Sequence, residues 1–332
     1  MSNISDTTSM CLMDNFRIDV FVWQIGAFLF PIFGIPGHIL IILTMCNLDR
    51  QRFHPTCLYY IFIAISETIY LMFFFWDWLD AVNLAPDPRK VLNCAYFYPF
   101  VGSTALISLI LIALLNIDRV HMIMYPQRTH SKITNKRVLI KIFLTYTTAI
   151  FFVIHYRYSL KYYGKAFVIF GQACQVHDYA HVWFYSVWPY INLLCRLIPC
   201  LMIFTCTSYI CCNRCQQKHD SRIRRKQQTS SLLLVFVSIY TLFAVLPITI
   251  LQLFNLKMKD FESDDLNYQC RRDVEHRAEL WKFLNALFIM LEASTYMNKF
   301  YVKWLFSPEF RRNVKQMVRC RSLFPSHSRN SL

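Results

Sequence analysis

The chain has 332 residues and a formal net charge of +15; 55% of its residues are hydrophobic and only 17% are charged. An ordinary soluble domain carries about 25% charged residues, and soluble chains split into domains as they grow because a single core stops growing. These values exclude an ordinary soluble protein and predict a membrane protein. The positive charge does not indicate nucleic-acid binding, because the basic residues lie in short loops beside apolar runs, where anionic lipid and orientation explain them.

Seven apolar runs follow one another along the chain, each long enough to cross the hydrocarbon, which takes about 20 residues. They lie near residues 21–46, 56–79, 95–123, 137–156, 184–212, 231–255 and 280–305. The runs are continuous rather than alternating, which favours helices over a β-barrel. The seventh run is interrupted by Lys282, Glu292, Lys299 and Lys303. The sequence therefore predicts an all-α membrane protein, a seven-transmembrane helix bundle.

The distribution of charge predicts the orientation of the bundle. Basic residues cluster after the first, third, fifth and seventh runs, at residues 50–52, 128–137, 214–226 and 311–321, whereas most acids fall in the other connections. Because basic loops stay in the cytoplasm, we expect a multi-pass protein of the plasma membrane with its N-terminus outside. We expect an extracellular tail at residues 1–20, the bundle at 21–305, and a cytoplasmic eighth helix and tail at 306–332.

The N-terminal tail shows no pattern of a cleavable signal peptide. The first apolar run is too long for the apolar core of such a signal, so we expect it to act as an uncleaved anchor. Asn3-Ile4-Ser5 is a glycosylation sequon on the predicted outer side, which makes Asn3 a candidate glycosylation site. Three-residue sequons also arise by chance.

Four cysteines lie on the predicted outer side, where an oxidising environment allows disulfides. Cys94 opens the third run and Cys174 lies in the long loop before the fifth, and we expect these two to be joined. Cys11 and Cys270 would then form a second bridge. The sequence alone allows other pairings of the four.

Other cysteines lie near the predicted inner membrane surface. Cys211, Cys212 and Cys215 edge the fifth run, and Cys320 stands between Arg319 and Arg321. Juxtamembrane cysteines beside basic residues are candidates for palmitoylation, and Cys320 is the one we select. Free cytosolic thiols are the alternative.

Several short motifs occur in a fixed order. Asp118-Arg119-Val120 ends the third run 25 residues after Cys94, and prolines interrupt the fifth and sixth runs at Pro199 and Pro247. Ser307-Pro308-Glu309-Phe310-Arg311-Arg312 follows the seventh run. Together these features resemble the rhodopsin-like (class A) family of G-protein-coupled receptors, in which Asp118-Arg119-Val120 matches the D-R-Y motif. The resemblance implies seven spans, an eighth helix, an extracellular ligand and a heterotrimeric G protein as partner.

The chain departs from the family pattern at several motifs. His38 follows Gly37 where the family usually has asparagine, and Glu67 replaces an aspartate. Residues 244–247 lack the usual tryptophan, and residues 297–302 are a degraded N-P-x-x-Y. The chain is thus similar to a divergent, invertebrate-type receptor of the peptide-receptor kind.

Arg119 and Asp118 have two interpretations. A basic residue at a helix end anchors the helix by the positive-inside rule. The resemblance implies instead that the arginine, paired with Asp118, is held at rest and meets the G protein on activation. The acid of span six that usually holds it has no counterpart near Gln227 or Gln228.

Polar residues at one depth predict a switch in the bundle core. Glu67 and Ser108 lie about 16–18 Å from the cytoplasmic face at about 1.5 Å per residue, with His38 and Ser294 at comparable depths and Asn298 nearby on the seventh run. By resemblance this is the family's sodium pocket. The alternative, which we favour, is a polar cluster without an ion, in which His38 takes the place of the cation beside Glu67.

Arg196 and Glu292 are intramembrane charges that either pair or line an outer ligand cavity. Val101 lies seven residues after Cys94. Receptors for amines share an aspartate at this position, so the valine argues against a monoamine ligand. Aromatic residues crowd the outer region and suit a peptide ligand, although interfacial aromatic belts produce the same pattern. They are Trp76, Trp78, Tyr96, Tyr98, Trp183, Tyr185, Trp188 and Tyr190.

Two other classes of function compete with a receptor. A transporter or channel would favour paired, glycine- or proline-broken helices in two matching halves, but no duplication is visible and the chain has six glycines. A membrane enzyme would carry clustered ligands such as H-E-x-x-H, which the sequence lacks. We therefore expect a receptor without catalytic residues, cofactor or metal, with membrane lipid, an extracellular ligand and a G protein as its partners.

Overall fold

A computed structural model describes residues 18–49, 55–125, 134–162, 174–216, 222–261 and 271–318. Four residues of the sequence-based predictions lie outside these ranges: Asn3, Cys11, Cys270 and Cys320. The glycosylation site, the second disulfide and the palmitoylation site therefore stay predictions.

Each of the seven apolar runs forms a long helix, and an eighth helix follows, as predicted. The helices are α1 (Ile18–Asp49), α2 (Pro55–Ala81), α3 (Cys94–Met124), α4 (Asn135–Val153), α5 (Trp188–Gln216), α6 (Arg222–Phe261), α7 (Arg271–Phe306) and α8 (Pro308–Val318). Short helical turns lie at Pro88–Leu92, Tyr156–Ser159 and Asp178–Ala180, and a π-helical turn at Trp183–Val187 leads into α5.

Six helices, α1 to α6, contain stretches that are long and apolar enough to cross a membrane, judged over the described residues. The helix that falls short is α7, because its four intramembrane charges lower its hydropathy. It nevertheless packs along both α1 and α6. Three of its charges, those of Glu292, Lys299 and Lys303, are buried against protein, which is how charged residues are accommodated in a membrane bundle. The fourth, Lys282, is exposed.

Six of the helices close into a ring, and the fourth span packs on its outside. Neighbours in the ring are α1 with α2, α2 with α3, α3 with α5, α5 with α6, α6 with α7, and α7 with α1, while α4 packs outside on α2 and α3. Gly37 lets α1 approach α7 closely, because a Cβ at this position would lie 2.9 Å from the Cβ of Phe300. Small residues at such contacts are typical of membrane helices.

One end of the bundle is covered by a disulfide-linked hairpin. Strands β1 (Leu160–Tyr162) and β2 (Cys174–Val176) pair antiparallel. Cys174 is bonded to Cys94 at the start of α3, with the two Cα atoms 5.9 Å apart. The predicted Cys94–Cys174 bridge is confirmed, and we call this end of the bundle the disulfide end.

The other end of the bundle, which we call the Arg119 end, is covered by α8. The backbone N–H of Phe310 donates to the Ser307 hydroxyl at 3.2 Å, which caps the helix at its first turn. Phe310 and Val314 are buried with residues of α1, α2 and α7, whereas Arg311 and Lys315 are not. The predicted amphipathic eighth helix is confirmed.

The two prolines noted in the fifth and sixth runs lie inside continuous helices. Pro199 lies inside α5 and Pro247 inside α6. A proline removes a backbone hydrogen bond and disfavours a straight helix, and membrane helices tolerate it because neighbouring groups satisfy the freed carbonyl. Both prolines lie on helices that pack on α3, so they affect the course of these two helices beside α3.

Candidate functional sites in the bundle

Two buried carboxylates, Glu67 and Glu292, define two polar sites inside the bundle. Each is paired with a cation from another helix, and α7 contributes one member to each pair. Glu292 and Lys299 lie seven residues apart on α7, which is two helical turns and about 10 Å. They therefore project from one face of α7 at two depths.

The first site, which we call the core cluster, joins Glu67 of α2 to His38, Ser108 and Lys299. Lys299 donates to Oε1 of Glu67 and, at 3.2 Å, to the Ser108 hydroxyl. Ser108 also donates to Oε1, and the Nε2 atom of His38 lies 3.3 Å from Oε2. All four residues are at most 4% exposed. The cluster therefore links α1, α2, α3 and α7 deep in the bundle.

The surroundings of His38 show which group neutralises Glu67. The Thr68 hydroxyl donates its single hydrogen to the Ala64 carbonyl at 2.7 Å, so at 3.1 Å it accepts the N–H of His38 Nδ1. A further proton on Nε2 would make the ring cationic beside Lys299, which like-charge repulsion disfavours. The predicted contact between His38 and Glu67 is present, and Lys299 adds an ammonium group that the sequence analysis had not included. Lys299 is the cation of this cluster, and His38 contributes packing and a polar contact.

The remaining residues of the predicted switch lie apart from Glu67. The Ser294 hydroxyl donates to the Leu291 carbonyl at 2.6 Å and accepts from Tyr240 of α6 at 2.7 Å, so it joins α7 to α6. Asn298 is half-buried on α7 and is not among the groups bonded to Glu67. Depth alone had grouped these residues with the core cluster.

Lys299 was missed because the sequence treated it only as an interruption of the seventh run. Two signals could have identified it. An intramembrane lysine is a functional candidate by default, and a buried Glu67 requires a cation, a proton or a hydrogen-bond donor. Lys303, one turn further along, has its Nζ atom 3.0 Å from the centre of the Tyr60 ring. Its ammonium group, buried as well, has no hydrogen-bond partner within the described ranges.

At the Arg119 end, Asp118 is held by groups from two other helices. The Tyr59 hydroxyl of α2 donates to Oδ2 at 2.7 Å, and Lys141 of α4 lies 2.5 Å from Oδ1. The sequence had suggested Arg119 as the partner of Asp118, whereas the ion pair in the structure is with Lys141. Arg119 donates to the Thr56 hydroxyl at 3.5 Å. The position of Asp118 therefore depends on α2 and α4.

The second site lies beside a cavity toward the disulfide end, which we call the outer cavity. Its volume is about 160 Å³. It is lined by Tyr98, Val101, Gly102, Ala105, Leu106, Leu109, Val153, Tyr156, Trp188, Asn192, Cys195, Arg196 and Glu292. The three residues predicted for a ligand pocket, Val101, Arg196 and Glu292, are brought together here.

Arg196 of α5 and Glu292 of α7 form an ion pair in the wall of the outer cavity. The Nη1 atom of Arg196 lies 2.9 Å from each carboxylate oxygen of Glu292. Tyr296 donates to Oε1 at 3.4 Å and packs on Tyr70, with ring centres 4.5 Å apart. Both alternatives from the sequence hold at once, since the two charges pair with each other and line the cavity.

Comparison with known families agrees with this architecture. The sequence model of the family described as "7 transmembrane receptor (rhodopsin family)" matches residues 37–300, from the middle of α1 to near the end of α7. The chain therefore belongs to the rhodopsin-like family of seven-transmembrane receptors. Among curated proteins, no relative matches the chain.

Membership of this family settles the class of protein. The chain is a multi-pass membrane protein of the G-protein-coupled receptor class, whose members signal and are generally not enzymes. The alternative of a transporter or channel is not favoured by this match. The outer cavity and the core cluster are thus read as parts of a receptor.

Proposed function

We propose that this receptor responds to an extracellular, peptide-like ligand bound at the disulfide end and activates a heterotrimeric G protein at the Arg119 end. It would lie in the plasma membrane with its N-terminus outside. The observation that carries this proposal is that α3 and α7 take part both in the outer cavity and in the core cluster. A ligand that shifts these helices at one end changes their packing at the other.

The wall of the outer cavity argues against a monoamine as the ligand. Val101 offers no charge, and Glu292 already receives two hydrogen bonds from Arg196. An amine would have to separate a partly buried ion pair and leave a cation without its partner, which is costly. A non-amine ligand avoids this cost.

The core cluster is the proposed switch between the two ends. It joins four helices by contacts to a single carboxylate, Glu67. Lys299 lies on α7 and Glu67 on α2. A movement of one helix relative to the other must therefore either break their contact or change the conformation of the two side chains. Because packed cores with such networks adopt discrete arrangements, this contact favours two states over a continuum. Lys299 provides the positive charge, so the switch needs no bound sodium ion.

Arg119 is the proposed contact with the G protein. It lies next to Asp118, which Tyr59 and Lys141 hold in place. The bound Asp118 stabilises the helix end from which Arg119 projects. In the proposed active state the helices move apart at the Arg119 end. A G protein that enters there meets Arg119 before any residue of the core cluster.

The test is signalling in cells that express the receptor, with second-messenger readout for basal activity and for a panel of peptides. Arg119→Ala is expected to abolish G-protein activation while surface expression stays largely intact, because the residue serves the partner. Lys136→Ala, an exposed cation of α4 at the same end, is the matched control and should signal normally. Signalling by Arg119→Ala at the wild-type level would contradict the proposal.

A further inference from the structure

We propose that the outer cavity binds a carboxylate carried on an apolar group of about the size of one aromatic ring. This inference rests on the proposed function, in which the cavity is the ligand site, and specifies the chemistry of the ligand. Two features carry it: the unequal use of hydrogen-bonding capacity by Arg196 and Glu292, and the size and lining of the cavity.

Arg196 has donors to spare. A guanidinium carries five N–H donors in a planar fork, and both bonds to Glu292 start from the same nitrogen, Nη1. Within the described ranges, the N–H groups of Nη2 and Nε are not used in these bonds and can donate to a further acceptor. The Arg196 side chain is 21% exposed and that of Glu292 only 11%. The accessible part of the pair is therefore its cationic member.

Glu292 has little left to offer to a ligand. Its two oxygens accept from Arg196, and Oε1 also accepts from Tyr296. A cationic ligand would compete with Arg196 for these oxygens, whereas an anionic ligand adds to unused N–H groups. Arginine binds carboxylates well in this way, since its fork matches their two oxygens.

A second donor faces the same space. The Tyr156 hydroxyl accepts a hydrogen bond from the Trp188 indole N–H at 2.7 Å, so its own hydrogen remains to be donated. Tyr156 and Asn192 both line the cavity with Arg196, and the asparagine amide adds N–H donors. The polar side of the cavity is thus rich in donors, which suits a ligand group that only accepts.

The volume limits the rest of the ligand group. A buried apolar cavity of about 150 Å³ holds benzene, and the outer cavity measures about 160 Å³, below the roughly 300–1,000 Å³ of pockets for whole drug-sized molecules. Val101, Ala105, Leu106, Leu109 and Val153 supply an apolar wall. The cavity therefore fits one ring-sized group with its acid.

Such a group has two sources, a free small carboxylic acid or the C-terminal residue of a peptide. Both present one carboxylate next to one apolar group, so the recognition chemistry is shared. They differ in what lies outside the cavity, because a peptide extends toward the disulfide-linked hairpin and the aromatic residues around it. The experiment therefore includes both kinds of probe.

The experiment measures thermal unfolding of the purified full chain in detergent, without G protein. The probes are phenylacetate, phenylacetamide and phenethylamine, together with a glycine-rich tripeptide ending in phenylalanine, with a free or an amidated C-terminus. A ligand of the folded state raises the unfolding midpoint. We expect the acids to act at concentrations about tenfold or more below the amides, because charge-assisted hydrogen bonds to Arg196 are lost in the amides. The amine should give no shift.

Variants assign the effect to Arg196. Glu292→Gln removes the competing carboxylate, so acids should bind about tenfold more tightly. The double variant Arg196→Gln/Glu292→Gln keeps the wall neutral and should lose the preference for acids. Arg196→Lys is a further variant. It keeps the positive charge but loses the planar guanidinium group, so it should bind acids about tenfold more weakly. Arg157→Gln is the matched control, because this exposed arginine lies over the Tyr96 ring outside the cavity and should leave acid binding unchanged.

The outcomes separate this proposal from the proposed function. Stabilisation by acids that disappears in the double variant supports the proposal. A larger shift of the unfolding midpoint with the tripeptide acid than with phenylacetate at the same concentration indicates a peptide C-terminus as the source, and the reverse indicates a free acid. Equal or stronger stabilisation by the amine or the amides, or no stabilisation by any probe up to its solubility limit, would overturn it. G-protein activation is measured separately, so either proposal can fail while the other stands.

Discussion

The core cluster and the pair at the outer cavity use the same chemistry in different surroundings. In each, a glutamate meets a cation from another helix. The side chains of Lys299 and Glu67 are 5% and 1% exposed, whereas those of Arg196 and Glu292 are 21% and 11% exposed beside a cavity. One pair is enclosed by protein, and the other borders a space that a ligand group fits. We therefore expect the enclosed pair to act in the proposed switch and the more accessible pair to act in ligand recognition.

The physical reason lies in the cost of separating the charges. Removing one partner of a buried pair leaves an uncompensated charge in a low-dielectric interior and costs about 3–5 kcal/mol. A pair with partial access to water or to a ligand loses less, since the remaining charge is solvated. The charges of the core cluster should therefore be costlier to separate than those of the pair at the outer cavity.

The largest effect is expected at the core cluster. Lys299→Met should lower the stability of the bundle by about 3–5 kcal/mol, because Glu67 is left as a buried charge without its cation. The double variant Glu67→Gln/Lys299→Met, which removes both charges, should recover most of this loss. Thermal unfolding in detergent measures the effect. A double variant as unstable as the single one would show that charge pairing is not what Lys299 contributes.

A smaller effect is expected at the outer cavity. Arg196→Gln should cost about 1–3 kcal/mol, since a hydrogen bond to a charged group is lost while Glu292 keeps Tyr296 and some access to solvent. Arg196→Gln/Glu292→Gln should again recover much of the cost. The same unfolding assay, run beside the core variants, provides the comparison. A loss equal to or above that of Lys299→Met would contradict the assigned roles of the two pairs.

The smallest effect concerns sodium. Because Lys299 supplies the cation for Glu67, replacing choline chloride by sodium chloride should leave the unfolding midpoint of the wild type unchanged. In Lys299→Ala the carboxylate loses its cation, so sodium should now stabilise the bundle by mass action. Glu67→Gln, which has no carboxylate to neutralise, serves as the control. A sodium-dependent midpoint in the wild type that is lost in Glu67→Gln would overturn the assignment of Lys299.

The helical fold was largely predictable because it depends on one-dimensional patterns. Span length follows from the thickness of the hydrocarbon, and all seven apolar runs became helices, including the charged run of α7. The Cys94–Cys174 bridge followed from the positions of the two residues relative to the spans. The eighth helix was expected from the resemblance of residues 307–312 to the start of that helix in the receptor family. Each of these features is set by where a residue lies along the membrane normal.

The spacing of Glu67, His38 and Ser108 along their helices predicts their depth, and it therefore predicts that they meet in the bundle. The packing of the helices adds Lys299 to Glu67 and Lys141 to Asp118, which no pattern in the sequence had indicated. The sequence also left open whether Arg196 meets Glu292. A continuous apolar run indicates how deep each residue lies in the membrane, but it contains little information on the direction in which each side chain points. Helix rotation and partner choice are set by packing between helices, which becomes visible only when the whole bundle is assembled.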